Sequence, residues 1–210
     1  MKPAKNIKLT TNKIESLSVT GIHTFTFHTI DTPFAKSIMV KIDEAINSYK
    51  QARANLDIKG ANFWCKNYQD FIRVLDSNCI KRQIIVKNIT TNIGRNVFAR
   101  ILSGDTTYTG VINYIALGTN TSVATANDTL LGAETYRKAV SVGESLNNIA
   151  TVYTFFTPLE VTGTFEEYGC FIDGTGAANS GILFNRFLQN LAKSSLESLQ
   201  VSTEITINNA

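Results

Sequence analysis

The 210-residue chain has few of the residues that usually announce a function: three prolines, three cysteines, two histidines and one tryptophan. Cys65, Cys79 and Cys170 are scattered with no C-x-x-C spacing, so they read as reduced, partly buried thiols. No run of 18 apolar residues exists, and no membrane span is expected. The opening "MKPAKNIKLTTNK" is basic but lacks an apolar stretch, so it does not read as a secretory signal. What remains is the composition of an ordered globular protein, 43% hydrophobic and 18% charged. The length suffices for a core without disulfides or metals.

Catalytic signatures are also missing. There is no G-x-S-x-G elbow, no calcium-type spacing among Asp31, Asp43, Asp57, Asp70 and Asp76, and no phosphate-binding loop. After the strand "YIALG", the segment 118–129 offers only Gly118 among small polar residues. It reads as a surface loop that hydrogen-bonds its own backbone. His23 and His28 lie five apart in one expected strand, pointing to opposite faces, and read as solvent or turn residues. Glu166 and Glu167 are adjacent and diverge on a strand, whereas a glycosidase pair must converge; Glu160 or Asp173 would have to supply the partner. "NIT", "NTS" and "NDT" fit the glycosylation sequon by chance in an Asn/Thr-rich chain. No catalytic residue, metal ligand or cofactor site is expected, and the chain is expected not to be an enzyme.

Charge is unevenly spread. Residues 1–100 hold 16 Lys/Arg and 7 Asp/Glu, net +9, and residues 101–210 hold 4 and 10, net −6. The basic residues form no block of five or six, so nucleic-acid binding is not expected. The asymmetry suits faces that meet different protein neighbours, including a basic face on one copy meeting an acidic face on another.

Patterning predicts a mainly β chain: an antiparallel β-sandwich with a partly helical N-terminal elaboration. Residues 1–13 read as a flexible basic arm, 14–91 as a strand and helix region, and 92–210 as the sandwich module. Thr24–His28 alternates as a strand, "DTPF" suggests a turn, and Ile38, Val40 and Ile42 suggest a returning strand. Helices are expected in "EAINSYKQARANLD", in 62–76 capped by Asn62, and in "NIGRNVFARILSG" capped by Asn92 and stopped at Gly104. "IKRQIIVKNI" returns to strand. Further strands are expected near 111–117, 135–142, 149–157, 167–173, 181–188 and 198–207, the last alternating Leu199, Val201, Thr203, Ile205 and Ile207.

Four stretches in order carry a resemblance: "KNITTNIGRNVFARILSG", "YIALGTNTSVATANDTLLGAETYRK", "GTFEEYGCFIDG" and "GILFNRFLQNLAKSSLESLQVSTEITI". Together, over about residues 87–208, they resemble a family of tailed-bacteriophage virion proteins, described as tail-fibre or minor structural proteins. The second Gly of the family's G-T-G-T is Asn120 here, and residues 31–87 have no counterpart. The resemblance implies a non-enzymatic structural component of the virion, in tail, baseplate, neck or capsid, assembled in the host cytoplasm. It acts through contacts with itself as a homo-oligomer and with other virion proteins. The alternative is a receptor- or carbohydrate-binding module that contacts a host surface receptor, which exposed aromatics among Tyr108, Tyr136, Tyr153 and Tyr168 on one surface would support.

The resemblance also marks Asn88, Gly94, Gly118, Asp128, Glu134, Arg137, Gly169, Arg186 and Lys193 as structural motif residues. Asn88 and Gly94 are expected to flank a strand-to-helix corner, and Gly118 to end its strand with positive φ. Asp128 is expected to close a turn. Glu134 and Arg137 would pair on a helical turn and face apart on a strand. Arg186 and Lys193 are expected to bind carboxylates in this subunit or the next.

Overall fold

The computed structural model describes residues 17–209; the expected arm 1–13 lies outside them. The elements are β1 (Leu17–Thr29), α1 (Pro33–Ala54), α2 (Ile58–Cys79), β2 (Ile80–Lys87), β3 (Ile89–Thr90), α3 (Asn92–Leu102), β4 (Ile112–Gly118), β5 (Glu134–Ala139), β6 (Val142–Leu146), β7 (Ile149–Phe156), β8 (Gly163–Ile172), β9 (Ile182–Lys193) and β10 (Glu197–Asn209). They build two antiparallel five-stranded sheets, ordered β2-β1-β10-β7-β6 (sheet A) and β3-β9-β8-β4-β5 (sheet B). Phe25, Phe27, Leu117, Phe156, Tyr168, Phe187 and Val201 are among the side chains buried between them. The expected sandwich with helical elaboration is the observed fold.

Residue 91 does not separate the sandwich from what precedes it. β1 pairs with β10 from Leu17↔Asn209 to Thr29↔Glu197, and β2 extends the same sheet. The chain then crosses to sheet B at Asn88, whose amide donates to the Gly21 carbonyl (3.2 Å). It crosses back at the opposite side between β5 and β6, where the Val140 and Ser141 amides donate to Asn113 and Tyr153 (2.9 and 2.7 Å). Both open sides of the sandwich are thus bridged by continuous chain.

The helical hairpin α1–α2 packs on the outer face of sheet A, burying Ile38, Ile42, Tyr68, Ile72 and Leu75 against Val142 and Phe155. The expected strand at 38–42 is helix. Thr32 is an N-cap whose hydroxyl accepts from the Ala35 amide (3.1 Å), and Pro33 occupies the first turn. Ile38 and Ile42 are one helical turn apart, and Val40 between them is exposed. α2 begins four residues before Asn62, because Asp57 caps it by accepting from the Gly60 amide (2.9 Å). In α3 the cap is Thr91 rather than Asn92. Gly104 follows with φ +82°, as expected of a helix stop. Ile101 and Leu102, in the last turn, are exposed.

Because the hairpin covers sheet A, the outward side of β10 is not a solvent face: Gln200 is buried alongside the inward Leu199 and Val201. Among the described residues no helix is long and apolar enough to cross a membrane.

Candidate functional site: two arginine clamps on sheet B

On the outer face of sheet B, register sets Gly169 of β8 opposite Arg186 of β9, with Gly118 of β4 opposite Glu167. Glu167 is fully buried and its carboxylate collects donors. It accepts from the Ala133 amide (2.6 Å), the Gly132 amide (3.0 Å), the Asn120 amide (3.4 Å) and Arg186 Nε (2.9 Å). Arg186 is itself buried. Its Nη1 donates to Asp128 Oδ2 (2.8 Å) and its Nη2 to the Ser122 carbonyl (3.0 Å). A buried carboxylate with this many donors and a buried guanidinium with all nitrogens engaged satisfy each other's desolvation cost.

The pair holds the loop 119–133 against the sheet. The loop closes its neck through the Thr119 amide and the Ala133 carbonyl (3.0 Å). Asp128 fixes its middle by accepting from the Thr125 amide and hydroxyl (3.0 and 2.8 Å), as expected of a turn. Burial alone would raise the Asp128 pKa; the Thr125 and Arg186 donors outweigh it and hold the carboxyl below its ordinary range. Leu131 plugs the loop into Ala116, Phe171 and Leu183. Small residues suit such a loop because, Asp128 apart, its amides and carbonyls reach the clamp.

The glycines have steric reasons. A Cβ on Gly118 would collide with the Ala133 carbonyl and lie 2.6 Å from Glu167 Oε1. Its φ is not positive, so close approach, not left-handed backbone, requires glycine there. A Cβ on Gly169 would meet Leu183 at 2.7 Å and the plugging Leu131 at 3.0 Å.

A second clamp lies beside the first. Arg137 Nε and Nη2 donate to the two oxygens of Glu134 (2.6 and 2.9 Å), and Nη1 reaches the Thr175 carbonyl and Ser180 Oγ (2.8 and 2.6 Å). Its guanidinium sits 4.6 Å from the Phe171 ring centroid. Glu134 and Arg137 are on a strand, where a spacing of three was expected to part them. The ladder skips Thr135, since Leu117 pairs with Tyr136 and Gly118 with Glu134. The bulge restores both side chains to one face.

Six of the nine motif residues therefore meet here: Gly118, Asp128, Glu134, Arg137, Gly169 and Arg186. The other three lie elsewhere. Asn88 packs on Gly21 at the sheet crossing and caps no helix; Thr91 does that. Gly94 lets α3 touch β9, since a Cβ would lie 2.7 Å from the Phe184 carbonyl. Lys193 is buried, and its ammonium donates to the Pro158 and Glu160 carbonyls (2.9 and 2.8 Å) rather than to a carboxylate. Burial pushes its pKa down to about 8. The sequence marks Glu167, the hub, only as one of two adjacent carboxylates; its alternation with Gly169 on one strand is the signal that places both on the same face.

Other candidates are dispersed. Glu166 accepts from Asn190, while Glu160 pairs with Lys138 (2.5 Å), so neither converges with Glu167. Asp173 accepts from the Thr109 amide (2.8 Å). The histidines do face opposite ways, but both are buried. His28 Nε2 meets Asp76 of α2 (2.6 Å). His23 stacks on Phe187 inside the sandwich and bonds Thr203 (2.8 Å), beside Asn185 and Cys170. Burial lowers the His23 pKa to about 3 and raises that of Cys170 to about 12. His23 and Cys170 are sealed between the sheets away from solvent, and burial keeps the thiol protonated at neutral pH. Tyr168 lies in the sandwich core and Tyr153 under the helices, so the four tyrosines share no surface. Among the described residues no cluster of three or more His, Cys, Asp or Glu is placed to hold a metal. No protein-family model, no curated protein and no solved structure matches the chain.

Proposed function

We propose that the chain is a structural component of a tailed-phage virion, working through subunit contacts in assembly or fibre attachment. The motif-bearing stretches over 87–208 resemble such proteins, and one observation supports the reading. Charged groups of two of the motif stretches, Asp128, Glu134, Arg137 and Arg186, are engaged with partners inside the chain. Their work is to stiffen two loops, 119–133 and 173–181, against a sheet. Stiff loops with exposed apolar tips such as Val123 and Leu130 suit repeated contacts between neighbours. Symmetric closure of several copies is the expected form of such an assembly. The test is to raise antibody against the purified chain and to probe density-purified particles from cells carrying its gene. The chain is expected in the particle fraction at a stoichiometry like that of other appendage proteins. Its confinement to the soluble fraction of the lysate would refute the proposal.

A further inference from the structure

A groove of about 1090 Å³ separates the helical hairpin from one end of the sandwich. The helix wall carries Lys50 and Arg53 from α1 and Lys66 and Arg73 from α2. The sandwich side contributes the apolar Phe98, Val111, Ile112 and Ile207 beside Asn113, Glu144 and Ser145. Val111 is 50% and Ile207 is 37% exposed, so the floor is open to solvent.

Four cations line one groove, and three of them have no ion-pair partner. Among the described residues, Lys50, Arg53 and Lys66 make no ion pair, and Arg73 meets only Asp70 on its own helix (2.7 Å). Glu144 is the sole carboxylate lining the groove, and it accepts from the Tyr153 hydroxyl (2.9 Å). On sheet B, by contrast, Arg137, Lys138 and Arg186 each pair within the chain.

A second copy is a poor occupant. Asp105, Asp128, Glu134, Glu160, Glu167 and Glu197, six of the ten acidic residues after position 100, are in ion pairs of their own chain. The acidic half is therefore largely self-neutralised and has little charge to offer a basic face. The groove also exceeds the ~300–1,000 Å³ of small-molecule sites. Single-stranded nucleic acid needs open aromatic faces for stacking, and the floor offers aliphatic side chains with half-buried Phe98 and Tyr114.

We infer that the groove binds an acidic, amphipathic segment of a different polypeptide. Apolar side chains rest on Val111, Ile112 and Ile207, and carboxylates face Lys50, Arg53, Lys66 and Arg73. The inference goes beyond the virion proposal and does not depend on it.

The probe is a short fluorescein-labelled peptide of alternating Glu and Leu, titrated with the full chain and read by anisotropy. Controls are the same peptide with Ser for Leu, the same with Lys for Glu, and a labelled oligothymidine of similar length. The Glu/Leu peptide should bind, and added salt should weaken it. The exposed triple variant Lys50→Glu/Arg53→Glu/Lys66→Glu, checked for retained fold by circular dichroism, should bind it roughly tenfold or more weakly. Val111→Ser should weaken it without changing the salt dependence. Absence of Glu/Leu binding, equal binding by the triple variant, or equal binding of the Ser-substituted peptide would each overturn the inference. So would tighter binding of oligothymidine lost in the same variant, which would make the groove a nucleic-acid site.

Discussion

His23 should make this fold sensitive to mild acid. Its ring is buried between the sheets, stacked on Phe187 at 4.1 Å, with Thr203 and Asn185 at its nitrogens and no carboxylate beside it. Burial lowers its pKa from 6.5 to about 3. Between those values the unfolded chain binds a proton at this position that the folded chain refuses. Stability must therefore rise with pH across that window and fall as pH drops below 6.5. At pH 5 the unfolded state gains 1.5 units of protonation advantage, which at about 1.4 kcal/mol per unit is ~2 kcal/mol. Asp128, Glu160 and Glu197, all held below their ordinary pKa, lose stabilisation mainly below the usual carboxylate range and so at lower pH. The assay is urea denaturation at pH 7, 6 and 5, followed by circular dichroism and by fluorescence of Trp64, the only tryptophan. His23→Gln keeps a hydrogen-bonding group but cannot titrate. It should be less stable than wild type at pH 7 by about 1–2 kcal/mol, from the lost stacking. Its deficit should shrink by ~2 kcal/mol at pH 5. Parallel stability profiles for the two proteins would refute the reasoning.

Arg186→Met should cost about 3–5 kcal/mol in urea, because Glu167 is left buried without its counter-charge; the double variant with Glu167→Gln should recover part of it, and equal losses would contradict the clamp. Gly94→Ala should lower stability by about 1–3 kcal/mol through collision with the Phe184 backbone, whereas Gly176→Ala, with nothing within 4 Å of its Cβ, should be near neutral. On β10, Val201→Asp should abolish folding, while Ser202→Asp on the half-exposed outward side should fold and melt at least several degrees higher than any residual Val201→Asp structure. Equal behaviour of those two would mean that the register with β1 and β7 is wrong.

The strands after residue 110 were legible because they alternate and are bounded by polar turns. β10 announced its buried face through Leu199, Val201, Thr203 and Ile205. What period-2 counting missed were places where the ladder slips. The bulge at Thr135 decides whether Glu134 can reach Arg137, and nothing local in "ETYRK" encodes it. At 38–42 period-2 spacing fits a strand, while Ile38 and Ile42 alone fit a helix face; the Thr32–Pro33 cap decides for helix, and "DTPF" fits a turn as well as a cap. Gln200 alternates with the inward Leu199 and Val201, and single-strand patterning cannot see the helical hairpin that buries it. The clamp was half visible: its residues came from the motif resemblance, but their meeting depends on register between β4, β5, β8 and β9, which sequence spacing does not carry.

β1 and β10 are antiparallel neighbours, and the backbones of Leu17 and Asn209 face each other at one pole of sheet A. Their geometry makes the module's resistance to force directional. Tension that draws Leu17 and Asn209 apart opens the β1–β10 ladder like a zipper, loading one rung at a time. Tension between Leu17 and the far pole near Leu196 pulls β1 and β10 past each other and loads the rungs of the ladder in shear and all at once. The same fold is a weak link in series and a strong post when mounted by its base.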